Sequence, residues 1–173
     1  PSKYKNNAAA RTALYSLASA AGGPKVTGRS AGYEIDVIGS PDFEQQVTQA
    51  LALLRKKAPE EYDIVRVHIG RIEENEDSGV SPFEDPPLYK MSTGTAMYSV
   101  TWCAGSIALN ASYSRIYHDY KEKHGKSVPF EAWAGPESER ESYQLLLRVL
   151  RAIEAPQNET DYCISLLAAK GHT

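Results

Sequence analysis

Trp102-Cys-Ala-Gly-Ser-Ile-Ala-Leu-Asn-Ala-Ser-Tyr-Ser-Arg-Ile-Tyr-His-Asp-Tyr-Lys-Glu-Lys123 is the stretch on which the fold turns. No proline interrupts it, and Lys121, Lys123 and His124 gather just before Gly125, where a helix ending on a glycine cap would hold them against its negative end. A long helix is therefore predicted from about Trp102 to Lys123. Leu109, Tyr113, Ile116, Tyr117 and Tyr120 fall on one of its faces, and the remaining elements are expected to pack against it.

Upstream, Leu88 to Val100 holds two β-prone runs, Leu88-Tyr89-Lys90-Met91 and Ala96-Met97-Tyr98-Ser99-Val100, around the turn residues Ser92-Thr93-Gly94. They predict a hairpin or an edge strand. Before them, Asn75 to Pro87 reads as an acidic, proline-containing loop, and the alternation around Ile69 and Ile72 as a strand. Pro59 to about His68 is expected to be a short helix. Ser40 and Pro41 are an N-cap and a first-turn proline, opening a helix whose Phe43, Val47, Leu51 and Leu54 recur at helical spacing until Lys56-Lys57-Ala58-Pro59. Tyr33, Ile35 and Val37, alternating with Glu34 and Asp36, predict a strand. The Ala/Ser-rich opening from Ala8 to Ala21 has helix-forming composition and ends at Gly22-Gly23-Pro24.

Downstream, Val128 to Pro136 is expected to be a loop. A helix from Glu137 to Ile153 follows, with Tyr143, Leu146, Val149, Leu150 and Ile153 on its apolar stripe. Extended backwards, that stripe reaches Glu139. A last helix from about Glu159 to Ala169 would pack through Tyr162, Leu166 and Cys163. Helices following a short run of strands place the chain in the α+β class, as one domain over residues 1–173, with residues 1–32 as an N-terminal extension.

The chain has 173 residues, 42% of them hydrophobic, enough to bury most of its apolar surface in one core. Its 19 basic and 22 acidic residues are spread along the sequence, leaving a net charge of −3. Without a basic stripe to track phosphates, nucleic acid is not an expected partner. No apolar run reaches the length of a membrane span, and Pro1-Ser-Lys-Tyr-Lys5 lacks the apolar stretch of a signal peptide, so no membrane partner is expected either. Cys103 and Cys163 are read as buried free thiols rather than a disulfide framework. Asn110-Ala-Ser112 and Asn158-Glu-Thr160 match the glycosylation pattern, and both are read as chance.

From Tyr33 onward the order of elements resembles a small bacterial family of zincin-like metallopeptidases. The segments Ile69-Gly-Arg-Ile-Glu73, Tyr117-His-Asp-Tyr-Lys121 and Trp133-Ala-Gly-Pro-Glu137 carry the likeness beside the long helix. The resemblance implies a small twisted sheet packed on a former active-site helix, with further helices toward the C-terminus. It also implies that the frame of the His-Glu-x-x-His motif is occupied here by Leu109, Asn110, Ala111, Ser112 and Tyr113. Two imidazoles four residues apart share a helix face and can grip one metal while the carboxylate between them polarises its water. Leu109 has no donor atom, the Asn110 amide is no base, and the Tyr113 phenol is a poor zinc ligand beside imidazole. Zinc peptidase chemistry is therefore expected to be lost, with no cofactor in its place. By position, Glu139 stands for the third ligand, with Glu137 and Glu141 as alternatives.

A cleft altered in this way, by natural loss or by deliberate engineering, is expected to bind a largely apolar, polycyclic small molecule with a polar edge. Its candidate residues are Tyr98, Trp102, Cys103, Leu109, Asn110, Tyr113, Ile116, Tyr117, Glu139 and Tyr143, with Tyr120 beside them. Ordinary core packing is the competing reading of each aromatic, above all of Tyr117 and Tyr120. Two alternatives stay open. Cys103, with His68 or His172 as base, would make an esterase-like hydrolase. An Ala96–Val100 edge strand would let a pseudopeptidase bind a peptide along the old substrate groove.

Overall fold

The computed structural model describes residues 34–125 and 127–171. The helix expected over Ala8–Ala21, and Tyr33 at the head of the first strand, lie outside them. In chain order the elements are β1 (Asp36–Ile38), α1 (Pro41–Lys57), α2 (Pro59–His68), β2 (Arg71–Asn75), β3 (Gly79–Ser81) and β4 (Leu88–Ser92). Then come α3 (Thr93–Tyr98), α4 (Val100–His124), α5 (Phe130–Ala134), α6 (Pro136–Ala152) and α7 (Gln157–Ala169). The architecture is α+β, as the sequence predicts.

The four strands form one sheet in the order β1-β2-β4-β3. The pairs β1–β2 and β2–β4 are parallel, and β3 runs antiparallel along β4 with Val80 opposite Tyr89. Parallel neighbours need a crossover, which α1 and α2 supply between β1 and β2. Ser40 caps α1 by accepting a hydrogen bond from the Phe43 amide at 3.4 Å, and its own amide donates to Glu74 Oε1 at 2.9 Å, tying the helix start to β2. Val37, Ile72, Tyr89 and Met91 from the sheet share one core with Phe43, Val47, Leu54, Val65, Ile107 and Ala108.

Several local expectations are overturned. The run Ala96–Val100 is not a strand: α3 takes Thr93–Tyr98, and α4 begins at Val100. Two serines decide this. Ser92 Oγ accepts from the Thr95 amide at 3.2 Å and Ser99 Oγ from the Trp102 amide at 2.9 Å, so each opens a helix and outweighs the β-propensity of the residues between them. The hairpin partner of β4 is instead upstream, in β3, inside the segment read as a loop. The Val128–Pro136 loop likewise contains the short helix α5.

A further correction concerns α4. Its start and end match the sequence closely, with Gly125 in the left-handed conformation at φ 60° and its amide on the Lys121 carbonyl at 2.7 Å. Of the expected aromatic face only Tyr117 is buried. Cys103, Ala104, Ile107, Ala108, Ala111, Ser112 and Ser114 are buried, whereas Leu109, Tyr113, Ile116 and Tyr120 are only partly so. Small residues let neighbouring helices approach the α4 backbone closely. A Cβ on Gly105 would lie 2.5 Å from Leu146 Cδ1 of α6. In α7, Cys163 and Leu167 are buried as packing residues, but Tyr162 points outward and is 55% exposed.

Candidate functional site

The first turn of α4 and the first turn of α7 meet through one carboxylate. Glu159 of α7 is 3% exposed. Its Oε2 accepts from Ser99 Oγ at 2.8 Å and its Oε1 from Thr101 Oγ1 at 2.6 Å. No lysine, arginine or histidine among the described residues pairs with it. Around this junction stand three aromatic rings. Tyr98 lies 6.3 Å from Trp102 at 66°, and Trp102 lies 5.6 Å from Tyr162 at 50°. Together with Asn158 and Glu159 they line a cavity of about 320 Å³. Tyr98 and Trp102 were legible as candidates in the sequence. Asn158, Glu159 and Tyr162 were not, because only the docking of α7 on the start of α4 brings them there.

The Leu109–Tyr113 frame lies further along α4, with Ala111 and Ser112 buried and Leu109, Asn110 and Tyr113 half-buried. Leu109 packs against the cluster of Leu146, Leu150, Cys163 and Leu167 between α6 and α7. Asn110 Nδ2 donates to the Ser106 carbonyl one turn back at 2.8 Å. Tyr113 is half-buried beside α6, and its phenol is held well above the ordinary tyrosine range by burial first, then by Tyr143 and Glu139. Glu139 pairs with Lys170 at 3.2 Å, and that ammonium stands 5.2 Å above the Tyr143 ring. Burial raises the Tyr143 phenol, with Lys170 opposing the shift. Of the three glutamates considered, Glu139 is the one beside Tyr113. Glu137 is exposed, and Glu141 is turned outward to Arg115.

The remaining candidates separate. Ile116 is partly buried, and Tyr117 belongs to an aromatic cluster at the far end of α4, with Phe83 at 6.3 Å, Trp133 at 5.9 Å and His118 at 5.7 Å. Tyr120 stacks near His124. Packing is thus the structural role of Tyr117. Tyr98 and Trp102 form one group, Tyr113, Glu139 and Tyr143 a second, and Tyr117 a third.

Cys103 is not placed as a nucleophile. It is fully buried with its sulfur 3.9 Å from Met91 Sδ, and burial pushes its thiol up to about 12, so little thiolate exists at neutral pH. His68 is engaged elsewhere. Its Nδ1 lies 2.7 Å from Nδ1 of His118, fifteen positions beyond Cys103 along α4 and so about 22 Å away by helical rise. The second base considered, His172, lies outside the described residues.

The histidine pair has a defined tautomer. His118 Nε2 lies 2.8 Å from the Pro82 carbonyl, which only accepts, so that nitrogen carries the proton. The bare His118 Nδ1 then accepts from His68 Nδ1. The rings stack at 5.0 Å, and Ser114 Oγ holds the His68 carbonyl at 2.7 Å. Burial, followed by the charges of His118 and Arg115, pushes His68 down to about 3, and burial also lowers His118. The sequence contains both histidines but no local sign that they meet.

A second, larger hollow of about 660 Å³ runs along β1 and α1, with Glu34, Glu44, Arg55 and Lys56 among its walls. It is broad, heavily charged and borders residue 34, where the described residues begin. Among the described residues, no three His, Cys, Asp or Glu side chains converge as donors for a metal ion, and no helix is long and apolar enough to cross a membrane. Comparison of the chain with protein-family models, curated proteins and solved structures gives no match.

Proposed function

We propose that this protein is a non-catalytic, zincin-like binder of a small, largely apolar molecule, and that the ligand sits between the starts of α4 and α7. The observation carrying this reading is the convergence of Tyr98, Trp102 and Tyr162 on a cavity of about 320 Å³ whose lining also holds Asn158 and Glu159. Apolar walls with a few fixed polar groups are the usual makeup of a ligand site, and this volume is at the lower end of the range. The site differs from the one expected at the peptidase motif frame, where Leu109 packs into the cluster of Leu146 and Leu150 and Lys170 pairs with Glu139. Two further features support the zincin-like ancestry: a small sheet packed on one long helix, and Glu139 beside Tyr113, as a third-ligand position beside a second would be.

A ligand screen read by thermal unfolding tests the binding. A molecule that binds only the folded state, present at about ten times its Kd, raises Tm by roughly 3–6 °C for a chain of this size. Planar compounds carrying a hydroxyl or ketone should do so. Tyr98→Ala, at an exposed site, should abolish most of the shift, while Tyr113→Phe, about 16 Å along the helix from Trp102, should leave it intact. A shift lost in Tyr113→Phe and kept in Tyr98→Ala would move the site back to the motif frame.

The ancestry has its own test. Leu109→His, Asn110→Glu and Tyr113→His together should yield a protein that retains about one zinc ion per chain after dialysis, with Glu139 completing the ligand set. Adding Glu139→Ala should release it. A folded triple variant that holds no zinc would remove the zincin-like part of the proposal and leave the aromatic cavity untouched.

A further inference from the structure

An apolar ligand leaves one feature of the cavity unexplained, the buried Glu159 among its lining residues. A carboxylate that is 3% exposed is costly to keep unless its charge is compensated. Two neutral hydroxyls, from Ser99 and Thr101, hold its oxygens, and the first turns of α4 and α7 add their partial positive charge. No basic side chain among the described residues completes the set. These contacts account for the carboxylate being tolerated. They do not account for three aromatic rings gathered over it, two of them largely in solvent, with Tyr98 63% and Tyr162 55% exposed. Aromatic faces carry negative potential and attract cations, most strongly in tryptophan, and rings grouped around a small cavity form the arrangement that recognises alkylated ammonium groups.

We infer that the ligand of this cavity carries an alkylated, preferably quaternary, ammonium group, seated among Tyr98, Trp102 and Tyr162 with Glu159 beneath. This rests on the small-molecule reading above and narrows it. The degree of alkylation follows from the hydrogen bonds. A primary ammonium brings three N–H donors that each need an acceptor once water is stripped away. Both Glu159 oxygens already accept a hydroxyl proton, which leaves the Asn158 amide and the phenols of Tyr98 and Tyr162 to share those donors with the lone pairs the carboxylate keeps. A quaternary ammonium has no N–H to satisfy and spreads its charge over methyl groups that pack on rings. The buried carboxylate then acts through its field rather than through a direct hydrogen bond.

Choline and 3,3-dimethylbutan-1-ol differ by nitrogen against carbon at one atom, so they separate charge from shape. Titration of the full chain with each, followed through the Trp102 indole resonance by NMR, should give an affinity for choline about tenfold or more above that for the neutral alcohol. Tyr162→Leu, which keeps an apolar wall without the ring, should weaken choline about tenfold and change the alcohol little. Glu159→Gln should do the same by removing the charge, and if that variant fails to fold, Tyr162→Leu decides the matter alone. Equal affinities for the two probes overturn the inference while leaving a small-molecule site in place. If neither probe moves the Trp102 resonance, the inference falls, and a screen that also gives no thermal shift takes the parent reading with it.

Discussion

Between pH 7 and pH 4.5 this protein should lose on the order of 2 kcal/mol of stability through His68 and His118 alone, over and above any carboxylate effect. In the folded chain His68 is pushed down to about 3 and His118 is lowered as well, chiefly by burial, whereas both titrate near 6.5 once unfolded. Below pH 6.5 the unfolded state therefore binds more protons than the folded one. Stability is fully present above that value and drains away as the pH falls toward 3. A single histidine kept neutral costs about 1.4 kcal/mol per pH unit in this window, and the partial exposure of His68 reduces the total. The geometry adds a reason that the pair resists full protonation. Two charged imidazoles would turn two N–H groups toward each other across the 2.7 Å Nδ1–Nδ1 contact. Urea unfolding at the two pH values, for the natural chain and for a His68→Gln/His118→Gln variant, measures the effect. The variant should be weaker at pH 7 but flatter with pH, and parallel profiles would show that the pair is not the titrating element.

Gly105→Leu should destabilise the fold by about 3 kcal/mol, while Gly105→Ala stays within about 1 kcal/mol of the natural chain. At this glycine α4 and α6 approach so closely that a Cβ would lie 2.5 Å from Leu146 Cδ1 and 3.1 Å from Leu150 Cδ2. Both neighbours are the ends of flexible leucines. A single methyl can be met by their rotation, and alanine's better helix propensity offsets much of the cost. An isobutyl group cannot be met in this way and must push α6 outward. Because Leu146 and Leu150 share a cluster with Cys163 and Leu167 of α7, that displacement passes to the helix carrying Glu159 and Tyr162. The leucine variant should consequently lose its ligand-induced thermal shift along with its stability. Denaturant titration of both variants checks the first part. A leucine variant as stable as the alanine one would mean that the α4–α6 contact is looser than its packing indicates.

Along most of the chain the elements can be read from the sequence because their signals are local. Ser40-Pro41 opens α1, and Gly125 closes α4. The alternation about Ile72 marks β2. Each depends on residues within a turn or two, whose capping or side-chain period is the same wherever the segment lies. Where two local signals competed, the apolar pattern misled. Ala96–Val100 has the composition of a strand, but the hydroxyls of Ser92 and Ser99 satisfy helix-end amides, and the helices win.

The face of α4 was a different kind of error. Periodicity weighs large apolar residues, whereas a central helix packed on several sides buries its small ones, because these alone permit close approach. The sequence by itself therefore determined the class of the fold and the place of its longest helix, and it offered two of the three rings of the cavity as candidates, while leaving Glu137, Glu139 and Glu141 as alternatives. Tertiary structure alone decided that Tyr162 meets Trp102 and Glu159 meets Ser99, each across 60 residues of chain, and that His68 meets His118 fifty residues away. Such contacts are set by how helices dock, and docking depends on the combined shape of distant surfaces, which no short window of residues encodes.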